Sequence, residues 1–216
     1  MESTRSDLLT VAVLRLESKS MQRATWVRGW WAHARHRPSP NVGSRPAAAS
    51  VDLVVLHSIS LPPGVYGGDA IELLFTNQLD WSAHPYFEQI RGLQVSAHFV
   101  IDRRGRITQY VSCDERAWHA GASHWQGRDN CNDFSIGIEL EGLEGEPFEP
   151  AQYRSLVPLL RSLRRKYGVR AVVGHEHVAP GRKADPGPGF EWGYLRQSLG
   201  WSARCFPASL NCPSST

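Results

Sequence analysis

The chain has 216 residues, enough for one generous domain, and its 24 Lys/Arg against 21 Asp/Glu leave a net charge of +3. That charge is uneven, +5 over residues 1–50 and −2 over the rest, which argues against a folded basic face of the kind that binds nucleic acid. No apolar run nears the ~18 residues of a membrane span, and residues 8–14 are too short and too acidic in their flanks (Glu2, Asp7, Glu17) for a signal peptide, so no membrane partner and a cytoplasmic location are expected.

Residues 1–20 show no core pattern that continues beyond them, and Met21 opens a better-patterned segment. They read as a disordered extension or a start-site overrun ahead of one domain over residues 21–204. Residues 24–36, with Trp26, Val27, Trp30 and Trp31, are expected to form a short helix, and residues 37–50, with three prolines, an extended connector. The apolar run 51–56 predicts a buried strand ending at His57. Breakers fill residues 61–68, and Ile71, Leu74 and Phe75 give helical spacing within 69–79. Strands are expected over 95–102 and 107–111, joined by a turn at Gly105, and over 134–140. The clearest helix is 150–167. Pro150 suits its first turn, Tyr153, Leu156, Val157, Leu160 and Leu163 share a face, and Gly168 can end it. A further strand over 169–173 stops just before His175, residues 179–189 form a Pro/Gly loop, and 190–199 is a last helix. Residues 205–216 read as a loose tail. The pattern is α/β, a single domain with one mixed β-sheet flanked by α-helices.

Cys113, Cys131, Cys205 and Cys212 form no C-x-x-C pair, which argues against a cysteine zinc knuckle and for free thiols. His57 and His175 stand at expected strand ends, and Asp185 lies ten residues beyond His175 in the rigid loop. Such a His, His, Asp set offers three ligands for zinc and leaves a fourth position open. His177 is an alternative ligand, because i and i+2 on a strand point to one side. Glu139 lies in an apolar strand, where burial would raise its pKa toward a general base's working range. Strict alternation instead puts it opposite Ile138 and Leu140, exposed, with Glu141 as a rival on the same face. Lys183, two residues before Asp185, offers positive charge to an oxyanion or is a solvated loop lysine. Trp118, His119, His124 and Trp125 either line a groove for a sugar or peptide or simply pack. The segment 61–87 is expected to wall or cover the site.

Several segments in order, LHSISLPPG (56–64), HPYF (84–87), VSAH (95–98), RAWHAG (116–121), CNDFSIGIELEG (131–142), Gly174-His175 and APGRKADPG (179–187), resemble the cytoplasmic 1,6-anhydro-N-acetylmuramyl-L-alanine amidases. The resemblance runs from about Trp26 to about Leu199. It implies the fold of the phage-lysozyme amidases and peptidoglycan recognition proteins, zinc (Zn2+) held by His57, His175 and Asp185, and a muropeptide substrate. It assigns Glu139 rather than Glu141 to the catalytic position, gives Lys183 the transition-state charge and demotes His177. Ser58, Trp118 and His119 are the expected substrate contacts. Members commonly carry Asn where this chain has Ser58, and some carry Arg at Gln94, which leaves the peptide-stem preference open. The implied reaction is hydrolysis of the amide between the lactyl group of the muramic acid and L-alanine. Alternatives are a non-catalytic peptidoglycan-binding module and an amidase acting on intact cell wall.

Overall fold

The computed structural model describes residues 25–207, so the N-terminal extension, the Met21 start and Cys212 lie outside the described residues. Six strands form the central sheet: β1 (Arg35–His36), β2 (Leu53–Ile59), β3 (Phe99–Ile101), β4 (Ile107–Gln109), β5 (Ser135–Glu141) and β6 (Ala171–Gly174). Their spatial order is β6-β2-β5-β3-β4-β1. The first four of that order are mutually parallel. β4 returns antiparallel to β3, and β1 runs parallel to β4 at the edge. The helices are α1 (Ala70–Phe75), α2 (Pro85–Gln89), α3 (Pro150–Tyr167), α4 (His175–Val178) and α5 (Trp192–Leu199).

Alternation along the strands splits the apolar residues between two faces, and both faces are covered. On one, Val54, Leu56, Ile136, Ile138 and Leu140 pack with Leu156, Leu159, Leu160 and Leu163 of α3 and with Leu195 and Leu199 of α5. Each such side chain contributes about 1.5–3 kcal/mol by leaving water. On the other, Leu53, Val55 and Val173 pack with Ala120, Cys131 and Phe134, while Val100 packs with Leu74, Phe75 and Phe87 of the α1–α2 region. The α3 helix obeys its local signals at both ends and runs through an interior proline, Pro158. Gln152 accepts the N–H of Glu149 at its start, and Gly168 takes a left-handed φ of 76° at its end. Gln152 also donates to the carbonyls of Ile101 and Glu141, both at 3.1 Å, which ties α3 to the ends of β3 and β5.

Four expectations need correction. Residues 24–36 are not a helix: Trp26–Val27 pairs antiparallel with Trp30–Trp31. Arg28 and Gly29 both take positive φ, 47° and 74°, the requirement of a tight hairpin turn, and Trp26 stacks on Trp31 at 6.1 Å. The first long strand runs past His57 to Ile59, because its pairing with β5 continues to Glu141. His175 opens α4 rather than continuing a strand, so the i, i+2 argument for His177 does not apply. Cys205 and Phe206, assigned from sequence to the loose tail, are buried in the main core.

The connector of residues 37–50 is extended, as expected, and firmly pinned. Val42–Gly43 pairs with Arg116–Ala117, and Arg45 donates to the carbonyls of Asn132, Asp133 and Ser135. Among the described residues no helix is long and apolar enough to cross a membrane.

Candidate active site

Register brings the chemistry to one level of the sheet. Glu139 of β5 is paired with His57 of β2, and Gly174 of β6 with Leu56. His175 therefore emerges at the carboxyl end of β6 beside His57, at the end of the parallel strands where α/β sheets place their sites. The loop after α4 turns back and sets Asp185 against both, with its carbonyl accepting the N–H of Glu176 at 2.9 Å.

His57 Nδ1 lies 3.0 Å from His175 Nδ1 and 3.0 Å from Asp185 Oδ2, and His175 Nδ1 lies 3.1 Å from the same oxygen. All three residues are buried. The tautomers show what this triangle needs. His175 Nε2 lies 3.1 Å from the carbonyl oxygen of Ala120, which can only accept, so Nε2 carries a proton, and as a metal ligand the ring would turn a bare Nδ1 lone pair inward. Burial above all holds His57 at about 4 despite the pull of Asp185, so its ring is neutral. Two lone pairs and a carboxylate oxygen facing one another at 3 Å are mutually repulsive unless a cation lies between them. The donor set therefore fits a metal ion, and His57, His175 and Asp185 are a buried metal-binding triad.

The triad sits in a cleft of about 320 Å³ that is also lined by Ser58, Trp118, His119, Glu139 and Lys183. These eight residues are thus brought to one place, and the rival candidates Glu141, His177, His124 and Trp125 are not on its lining. Glu139 is only 9% exposed, and its Oε2 is buried with no hydrogen-bond partner among the described residues. Burial, reinforced by Asp185 and Glu144, pushes its carboxyl well above the ordinary range, and Lys183 opposes that shift. The exposed-carboxylate reading fails here for a physical reason: Glu139 does lie opposite Ile138 and Leu140, but that face too is covered.

Glu141 is engaged elsewhere, accepting the backbone N–H groups of Gly67 at 2.6 Å and Arg103 at 3.1 Å. His177 accepts the N–H of Gly174 at 3.0 Å and packs its ring on Trp192. His124 pairs with Asp129 on an exposed hairpin, and Cys131 is buried with its thiol pushed up by that burial. Leu61, Pro63 and Tyr86 form part of the cleft wall, as the sequence suggested for 61–87; Leu93, Leu143 and Glu144 also line it and were not anticipated. Trp118 has a buried indole N–H without a partner among the described residues.

A family profile described as N-acetylmuramoyl-L-alanine amidase (Amidase_2) matches residues 47–188, which span the whole site. The chain belongs to this amidase family. Within it, the chain is 51% identical over 170 residues to the 1,6-anhydro-N-acetylmuramyl-L-alanine amidase AmpD of Citrobacter freundii, covering 78% of this chain and 91% of that protein. A crystal structure of a selenomethionine AmpD derivative superposes with a TM-score of 0.78 at 49% identity, covering 80% of this chain and 98% of the other. The amidase AmiD from E. coli, in complex with the substrate anhydro-N-acetylmuramic acid-L-Ala-D-γ-Glu-L-Lys, superposes with a TM-score of 0.51 at 30% identity, covering 73% and 65%. The amidase fold expected from the sequence, one α/β domain on a mixed β-sheet flanked by helices, is the fold observed, with Arg35–His36 as a sixth strand beyond the five expected.

Proposed function

We infer that this amidase hydrolyses the amide between the lactyl group of (1,6-anhydro-)N-acetylmuramic acid and L-alanine in muropeptides, with zinc in the His57, His175, Asp185 centre, in cytoplasmic peptidoglycan recycling. The observation that carries the reading is the convergence of three buried donor atoms at 3.0–3.1 Å on the floor of a cleft that also holds a buried, unpartnered carboxylate. Two imidazoles and one carboxylate are a donor set that catalytic zinc takes, with one position left open. The AmpD relatives and the AmiD complex support the choice of bond and of sugar.

A zinc ion held there supplies Lewis acidity to the scissile carbonyl and makes a water a better nucleophile. Glu139 is the proton carrier. Its raised pKa suits it to take a proton from the attacking water and return it to the departing alanine nitrogen near neutral pH. The C–N bond breaks, the carbonyl carbon gains the water oxygen, and one carboxylic acid and one amine result. Lys183, on the cleft lining, brings an ammonium charge toward the oxygen that becomes anionic. Ser58 and Trp118 contact the substrate from the cleft wall.

The test is product analysis on anhydro and reducing muropeptides, before and after chelation and after zinc is restored. Release of the muramic sugar and an L-alanine-headed peptide, lost on chelation and regained with zinc, is expected. Cleavage at another bond, or full turnover in chelator, would overturn the assignment.

A further inference from the structure

A histidine ligand is aimed by whatever holds its outer nitrogen. Here both outer nitrogens end on one dipeptide. His57 Nε2 lies 3.0 Å from His119 Nδ1, and His175 Nε2 lies 3.1 Å from the Ala120 carbonyl. That dipeptide is itself held by side chains: Asn132 Oδ1 accepts the backbone N–H of His119 at 3.1 Å and of Ala120 at 2.8 Å, and Arg182 Nη2 donates to the Ala120 carbonyl at 2.7 Å. The remaining ring nitrogen of His119 lies 3.2 Å from Ser135 Oγ. The seat for the ring is made by Gly137 in the middle of β5, where an added Cβ would fall 2.4 Å from His119 Cγ. A glycine inside a strand weakens it and often marks a close approach of this kind.

We propose that residues 119–120, keyed by Asn132 and seated over Gly137, form a bracket that sets the tautomer and aim of both histidine ligands. The proposal rests on the reading of His57 and His175 as zinc ligands. With Ser135 Oγ accepting from His119 Nε2, His119 Nδ1 is bare and accepts the Nε2–H of His57. The Ala120 carbonyl does the same for His175. Each outer bond leaves the Nδ1 lone pair facing the metal centre. Asn132 couples the two holders, so one side chain bears on both ligands, with Arg182 as a second anchor on the Ala120 carbonyl. His119 acts through His57 and is a positioning residue.

Substitutions separate the hydrogen bond from packing. His119→Phe keeps a ring in the seat without an acceptor, whereas His119→Asn places an amide oxygen near the Nδ1 position. Zinc affinity of the full chain is read by competition with a chromophoric chelator, and ligand geometry from the visible spectrum of the cobalt-substituted protein, both independent of turnover. His119→Phe should weaken zinc binding by roughly 10–100-fold and alter the cobalt spectrum, and His119→Asn should recover most of that loss. Asn132→Leu should weaken zinc comparably with His119 intact, and Asn132→Asp, which keeps an oxygen there, should not. The bracket is overturned if His119→Phe or Asn132→Leu binds zinc within twofold of the parent, or if His119→Asn is no better than His119→Phe. A parent chain that takes up no zinc overturns the metal reading as well, so the two failures are distinguishable.

Discussion

Glu139→Gln separates the chemistry of the site from its stability. The amide keeps the size of the side chain and removes the proton it carries. General acid–base catalysis contributes about 10²–10⁴ in rate, so kcat should fall by that factor, about 2.7–5.5 kcal/mol of barrier, with zinc content unchanged. Stability should move the other way. Burial first, then the charges of Asp185 and Glu144, raise the folded pKa above the ordinary value of 4.5. The unfolded chain therefore ionises first as pH rises, and the parent loses stability at about 1.4 kcal/mol per pH unit from there up to the folded pKa. Glutamine carries no such penalty. Urea unfolding of metal-free parent and variant at pH 5 and 8 should show the two nearly alike at pH 5 and the variant more stable at pH 8. Turnover within a few-fold of the parent would remove Glu139 from the proton path. A variant no more stable at pH 8 would refute the buried-charge argument.

Lys183→Ala should cost about 10²–10³ in kcat, the scale of losing one oxyanion partner, with zinc affinity little changed; an unchanged kcat would return Lys183 to the role of a solvated loop residue. Leu160→Ala, at a position 0% exposed in the main core, should destabilise folding by about 2–5 kcal/mol while one zinc per folded chain is retained, measured by unfolding and metal analysis. Acid should destabilise the metal-free chain. Burial holds His57 at about 4, His98 at about 3 and His119 well below its ordinary value, so their stability is present above pH 6.5 and lost below it. Glu139, raised well above its ordinary value, and the partly buried Glu176, raised to about 7, both mainly by burial, slope oppositely, so three histidines against two carboxyls leave a net loss of about 1.4 kcal/mol per pH unit between 6.5 and 5; a flat profile there contradicts neutral buried histidines.

How far each element was legible in the sequence depends on how local its signal is. The α3 helix is readable because its periodicity, Pro150 and Gly168 all act within a few residues, and the apolar face outweighs the breaker Pro158 in its middle. The tryptophan hairpin is not, because two-residue strands carry no period and the left-handed turn at Arg28-Gly29 is a backbone fact. Strand β2 outruns its apolar stretch because Ile59 finds Glu141 across the sheet. Glu139 shows the limit of alternation, which tells which face a residue occupies and not what lies over that face. In a parallel sheet both faces are covered, so a carboxylate assigned to the polar side is buried all the same.

The site divides along the same line. His57, His175, Asp185, Glu139 and Lys183 were all visible as letters in motifs. Their convergence was not, because it needs the Glu139–His57 and Gly174–Leu56 registers to set three strand ends level. The support behind them is harder still to read. Every residue has a carbonyl, so nothing in the letter Ala120 says that it accepts from His175, and Gly137 makes room for a ring 18 residues away in the chain only once β5 is folded. A neutral imidazole has two nitrogens, and a ligand set specified by sequence settles only which residues own them. Which nitrogen faces the metal is decided by the partner at the other end of the ring. A chain that kept all three donors but lost Asn132 or the space over Gly137 would therefore retain the full motif and aim it badly.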